Sequence, residues 1–348
     1  GDFTGQTMSV LAHKWVSSGK LSGKTAFADA RVCVILHGIL GSGRNWMSPA
    51  KRIVETHPHW KCLLVDHRCH GGSPPADGTL RTPSASPRAR IEACAADVAA
   101  TIAAATGDGT ALTPSNPSVA LLPCGGAPII IGHSFGGKVA LAYAQQRRRK
   151  VEGGNSSPPI KTWMLDSVPG KRSKNEEHSG PGWVLSALER AASRGIDGGG
   201  FANRSEVQAS LVAEGLDALT AAWLSQSVRK QTTNEKRLEF GYDLVGVRNM
   251  FDAFGECDMW EDCVELAGVR SGRGGTSLGL VVAGDPHSGM WEGTEDRLSE
   301  IQRSGDESGA AAVGTRNANT VVQHMPQAGH NLHVDDLDGL LNILLGDH

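Results

Sequence analysis

Six apolar runs recur along the chain: ARVCVILHG, WKCLLVDHR, APIIIGHS, IKTWMLDS, LGLVVAGD and NTVVQHMP. Each is short and apolar at consecutive positions rather than alternate ones, and most carry several β-branched residues. That pattern predicts strands buried on both faces, as in a parallel sheet. Helical patterns lie between them: the Ala-rich stretch Arg88–Gly107, which stops on a glycine, then KVALAYAQQRRRK, and finally LNILLGDH. Strand and helix alternate, so the expected class is α/β with a mostly parallel sheet flanked by helices.

The alternation breaks between Asp166 and Leu278, where no strong parallel-strand run occurs. Ser205–Lys230 is helical in pattern, with Ser205 as its expected N-cap. Leu244–Leu266 carries Met250, Phe251, Phe254, Met259 and Trp260. We expect this span to form a helical cap over the carboxyl edge of the sheet, inserted after the sixth strand. Most of its large apolar residues are expected in the core, and a minority lining an apolar pocket. The expected division is a first core part at 1–168, cap and insertions at 169–276, and a second core part at 277–348. Segments 107–127, 170–200, 270–276 and 304–319 are rich in Gly, Ser or Pro and read largely as surface insertions.

Composition narrows the classes. A net charge of -3 over 348 residues gives no basic surplus for nucleic acid. Hydrophobic residues at 39% argue against wholesale disorder. No apolar run approaches the roughly 20 residues of a bilayer span, and no secretory signal opens the chain. The seven cysteines include no CxxC pair, which fits scattered core thiols in a reducing compartment. The expectation is a soluble intracellular protein, in the cytoplasm or an organelle.

The stretch Ile129–Ala144, IIIGHSFGGKVALAYA, carries the chemistry. Gly132-His133-Ser134-Phe135-Gly136 matches G-x-S-x-G between a strand and a helix, the context of a nucleophile elbow. A tight strand-to-helix turn demands neighbours without side chains, and it lifts the Ser134 hydroxyl above the sheet. Serine is a weak nucleophile until a base takes its proton, most often histidine. In the arrangement this motif marks, the chain order is serine, acid, histidine. Six of the thirteen histidines follow Ser134, and His330, in QAGHNLH ahead of the last helix, is the expected base. His333 is the fallback. Asp166 and Asp285 both end apolar strands after the serine, and either satisfies the order as the acid. The developing oxyanion needs N–H donors; the candidates are Phe135, next to the serine, and Ile39, in the HGILGS loop.

His57, His59, His67, Cys69 and His70 look like metal ligands by composition. The strand WKCLLVD separates the first pair from the rest by too much for one ion. No metal and no cofactor are expected.

HGILGSGRNW, DHRCHGGSP, GHSFGGKVA and AGHNLHVD together resemble the α/β-hydrolase superfamily, in family order and over nearly the whole chain outside the cap and insertions. GHSFGGK, MLDSVPG and AGHNLH resemble the esterase branch called abhydrolase domain-containing protein eleven and its bacterial and plant relatives. The resemblance implies the α/β-hydrolase fold and a Ser134-Asp166-His330 triad acting on a small-molecule carboxylic ester or thioester through an acyl-enzyme. In that branch the acid follows the strand after the nucleophile helix, which favours Asp166 over Asp285. It also implies structural roles for Asp66, Arg68, His70 and Ser73. HGILGSGRNW is similar, too, to the opening motif of a pyruvate-eliminating lyase of the menaquinone pathway, which would need arginines near the site; Arg44 and Arg68 are the candidates. A non-catalytic receptor on the same scaffold is the third alternative.

Overall fold

A computed structural model describes residues 8–18, 30–106, 129–152, 160–172, 180–197, 199–268, 276–284, 290–307 and 320–345. The described strands are β1 (His13–Ser17), β2 (Arg31–Leu36), β3 (Trp60–Val65), β4 (Ile129–His133), β5 (Ile160–Leu165), β6 (Val228–Lys230), β7 (Leu238–Phe240), β8 (Thr276–Ala283) and β9 (Thr320–Met325). The described α-helices are α1 (Met47–Thr56), α2 (Gly78–Arg81), α3 (Pro87–Thr106), α4 (Phe135–Glu152), α5 (Gly180–Asp197), α6 (Arg204–Ala213), α7 (Ala218–Leu224), α8 (Leu244–Glu256), α9 (Trp260–Ala267), α10 (Glu295–Glu307), α11 (Leu332–Asp335) and α12 (Leu337–Leu345).

Seven strands form one sheet in the order β1-β3-β2-β4-β5-β8-β9. All six apolar runs become its parallel members. Their consecutive apolar positions divide between two cores, because successive side chains leave opposite faces. Val32, Val34, Leu36, Leu63, Ile130 and Met164 join one core, with α3, α4 and the helices after β5. Cys33, Ile35, Leu64, Ile131, Trp163 and Leu165 join the other, with α1 and α12. Edge strand β1 pairs antiparallel with β3. Its sequence HKWVS is largely exposed and carries no continuous apolar run, so the pattern did not reveal it.

The span after Asp166 departs from a purely helical cap. It follows the fifth described strand, not a sixth, and its helices α5–α9 enclose an antiparallel ribbon, β6 with β7. The N-cap of α6 is Asn203, whose side chain accepts from the Glu206 amide; Ser205 lies inside the helix. The Ser205–Lys230 pattern is broken at Gly215, φ +94°, and restarts at Asp217, which caps α7 with bonds to Leu219 and Thr220. The second helical region is likewise two helices, α8 and α9. Parts of the Gly- and Ser-rich segments lie outside the described residues.

A buried lysine ties this span to α4. Lys138 Nζ, from the first turns of α4, donates to the carbonyls of Gly170, Phe254 and Cys257 at 2.7, 2.6 and 2.6 Å. An ammonium has three protons to give. Burial pushes the group down to about 8.

Candidate active site

Ser134 sits where β4 ends and α4 begins, with φ +51°. A non-glycine residue in this region costs on the order of 1–3 kcal/mol, so the surroundings must hold it there. The Ser134 amide donates to the Leu165 carbonyl at 2.9 Å, and its own carbonyl accepts from Gly137 at 2.9 Å. The turn also dictates its glycines. A methyl on Gly132 would collide with the Gly136 carbonyl, and one on Gly136 would lie 2.6 Å from the Leu36 oxygen.

Asp166 directly follows β5 with φ +42°, and its amide donates to the Val281 carbonyl at 2.8 Å. Its carboxylate is buried, with Oδ2 2.6 Å from His330 Nδ1. Oδ1 accepts from Trp291 Nε1 at 2.7 Å and from the Ala283 amide at 3.1 Å. With Nδ1 donating to the carboxylate, Nε2 of a neutral His330 is left as the basic nitrogen. Asp285, the other candidate acid, lies outside the described residues.

Ser134 and His330 line the same cavity, of about 360 Å³. His37, Gly38, Ile39, Leu40 and Trp46 form one side of it; Pro181, Val184, Thr220 and Trp223 come from α5 and α7. The aromatic and methionine residues singled out at 250–260 do not line it. Met250, Phe251, Phe254, Met259 and Trp260 are all buried in the core beside α4. The lyase reading's arginines also miss it: among the described residues, no Lys or Arg lines the cavity. Arg68 is buried against Asp97, with Nε 2.8 Å from Oδ2, and Arg44 is exposed.

Ile39 contributes to the cavity wall, and Phe135 opens α4. First-turn amides of a helix have no intrahelical acceptor, which leaves the Phe135 N–H pointing beyond the helix end. The four residues from DHRCHGGSP brace these loops. Asp66 accepts from the Gly43 and Gly72 amides at 2.7 and 3.0 Å, and Ser73 Oγ donates to the Asp66 carbonyl at 2.6 Å. Arg68 holds Asp97, and His70 accepts from the Leu40 amide at 3.0 Å.

Several neutral histidines pack around the site. His133 donates from Nε2 to the His330 carbonyl at 2.7 Å, and burial holds it well below the usual histidine range. His333 stacks on Trp46, ring centroids 4.2 Å apart, and burial pushes it down to about 4. The hydrogen bond to Asp166 comes from His330, the expected base, and not from the fallback His333. His57 and His59 precede β3 and His67, Cys69 and His70 follow it. Among the described residues, no group of His, Cys, Asp or Glu could hold a metal ion, and no helix is long and apolar enough to cross a membrane.

The model of the alpha/beta hydrolase family matches residues 33–342. The chain belongs to that family. A mouse (Mus musculus) relative, sn-1-specific diacylglycerol lipase ABHD11, is 34% identical over 119 residues. That stretch spans 34% of this hydrolase and 29% of the relative. Among solved structures, an esterase from a marine microorganism superposes with a TM-score of 0.62 at 16% identity, covering 98% of this chain and 99% of that one. The esterase EaEST of Exiguobacterium antarcticum gives 0.54 at 12% identity over 98% and 99%. At such identities these likenesses show the fold.

Sequence reasoning missed the hydrolase's supporting residues. Trp291 lies in no motif, and His133 fills the unspecified x position of G-x-S-x-G. The signal for Lys138 was present, a lysine inside an apolar helix face directly after the glycines of GHSFGGK.

Proposed function

We propose that the protein hydrolyses carboxylic esters or thioesters of small apolar acyl substrates through an acyl-enzyme. Ser134 Oγ attacks the carbonyl carbon while His330 Nε2 takes its proton. Asp166 keeps the imidazole in the required tautomer and stabilises the imidazolium. The N–H groups of Ile39 and Phe135 receive the oxyanion. His330 then protonates the leaving group, and water activated by the same nitrogen releases the acid.

The observation that carries this reading is the 2.6 Å contact of His330 with Asp166 at a cavity Ser134 also lines. An ester bond fits the name of the mouse relative and the esterase neighbours. The apolar preference rests on Ile39, Leu40, Val184 and Trp223 in the wall. In this reading residues 169–276 act as the cap, supplying the α5 and α7 side of the cavity. Among the described residues the wall carries no Lys or Arg, which disfavours the lyase, whose carboxylate substrates would need them.

The test is Ser134→Ala. Turnover of p-nitrophenyl esters and fluorophosphonate labelling are both expected to vanish while circular dichroism stays that of the wild type. Undiminished turnover refutes the assignment. Labelling of the wild type without turnover of any ester or thioester would point to a receptor.

A further inference from the structure

We propose that Tyr242, on the segment between β7 and α8, is a positioning residue for the loop that carries the Ile39 N–H. The inference rests on the acyl-transfer reading and assigns the capping span a part in the reaction besides lining the cavity.

The loop Gly38-Ile39-Leu40-Gly41 is a turn closed by a bond from the Gly41 amide to the Gly38 carbonyl, 3.0 Å. Its third residue has φ +60°, the sign a type II turn requires there and normally fills with glycine. Here that residue is a leucine. A leucine favours the negative-φ turn, reached by flipping the Ile39–Leu40 peptide. Two side chains hold the turn: one takes the amide that the flip would turn away, the other anchors the peptide that follows. His70 Nε2 accepts the Leu40 amide at 3.0 Å, and Tyr242 Oη donates to the Leu40 carbonyl at 2.7 Å. His70 is committed to accepting, because its Nδ1 is 2.9 Å from the Arg68 carbonyl and burial pushes its pKa down to about 3. The two rings meet edge to face, 5.6 Å apart.

The next residue repeats the device. The Asp243 amide donates to the carbonyl of Cys69 at 3.1 Å, and Cys69 has φ +69°. Asp243 Oδ2 accepts from the Ala76 amide at 2.8 Å and from Arg81 at 2.9 Å. Leu40, Cys69, Ser134 and Asp166 are the non-glycine residues with left-handed backbone among the described residues. Two of the four are held by consecutive residues of the capping span. Ile39 stands directly before one of them, so the Tyr242 bond, by anchoring the turn, helps to aim its N–H.

Tyr242→Phe tests this, since it removes one hydrogen-bond donor and keeps the ring. The expected result is a fall in kcat of between about tenfold and a hundredfold, with KM within about twofold. A boronic acid that forms a tetrahedral adduct should lose affinity by the same factor. A rise in KM alone, or unchanged kcat, overturns the inference. Should Tyr242→Phe not fold, His70→Gln and His70→Ala examine the other side of the turn. Glutamine can accept from the Leu40 amide and should keep kcat within about threefold, whereas alanine should lose at least about tenfold. Equal kcat in the two also overturns it. If Ser134→Ala is inert and Tyr242→Phe matches wild type, this inference fails alone; turnover by Ser134→Ala removes the reading beneath it.

Discussion

Asp166 Oδ2 lies 2.6 Å from Nδ1 of His330, a residue 164 positions later in the chain. In the proposed reaction, the contact decides which histidine nitrogen is free to act as the base. Asp166→Asn should therefore leave the fold intact and favour the wrong tautomer. Its Oδ1 can still accept from Trp291 and Ala283. We expect kcat for p-nitrophenyl esters to drop by about 10³- to 10⁴-fold. A drop of less than about tenfold would move the acid elsewhere, with Asp285 the residue to replace next.

Trp291 holds the other oxygen of that carboxylate at 2.7 Å. Trp291→Phe keeps an aromatic ring and loses the donor. A loss of about three- to tenfold in kcat is expected, with KM unchanged. Because both changes act through one carboxylate, Trp291→Phe should cost much less in an Asp166→Asn background. Full additivity in that double-mutant cycle would show that the indole acts by some other route.

Trp223 is partly exposed and lines the cavity from α7. Replacing it with alanine removes apolar wall without touching the reacting groups. Over a series of esters of graded acyl length, KM should rise about fivefold, corresponding to about 1 kcal/mol of lost apolar contact, while kcat is kept. Unchanged KM throughout the series would place the acyl chain elsewhere.

Burial pushes His37, His70 and His333 down to about 4, 3 and 4. Unfolded histidine titrates near 6.5. The unfolded chain therefore binds more protons below that pH, and folded stability falls as pH drops from about 6.5 towards 4. Each ring contributes a slope approaching about 1.4 kcal/mol per pH unit in the window between its two values. His333→Gln should flatten the pH dependence of the urea midpoint between pH 6 and 4.5 by up to about one proton. An unaltered slope would mean that His333 is not neutral in the fold.

The sequence by itself determined what depends on neighbours along the chain. Six strands were legible because a strand buried on both faces must be apolar at consecutive positions. Ser134 was legible because its turn leaves no room for side chains at Gly132 and Gly136. Chain order narrowed the expected base to six histidines, and the place of QAGHNLH ahead of the last helix singled out His330 among them. Edge strand β1 and the β6–β7 ribbon were not legible, since neither carries a continuous apolar run. Tertiary structure decided the partners. It brought Trp291 to Asp166 across 125 positions, His133 to the His330 carbonyl across 197, and Tyr242 to Leu40 across 202. It also buried Met250, Phe251, Phe254 and Met259 in the core and left Val184 and Trp223 to line the cavity. A hydrogen bond between distant residues needs only a donor and an acceptor brought close by packing, and no local spacing records that meeting.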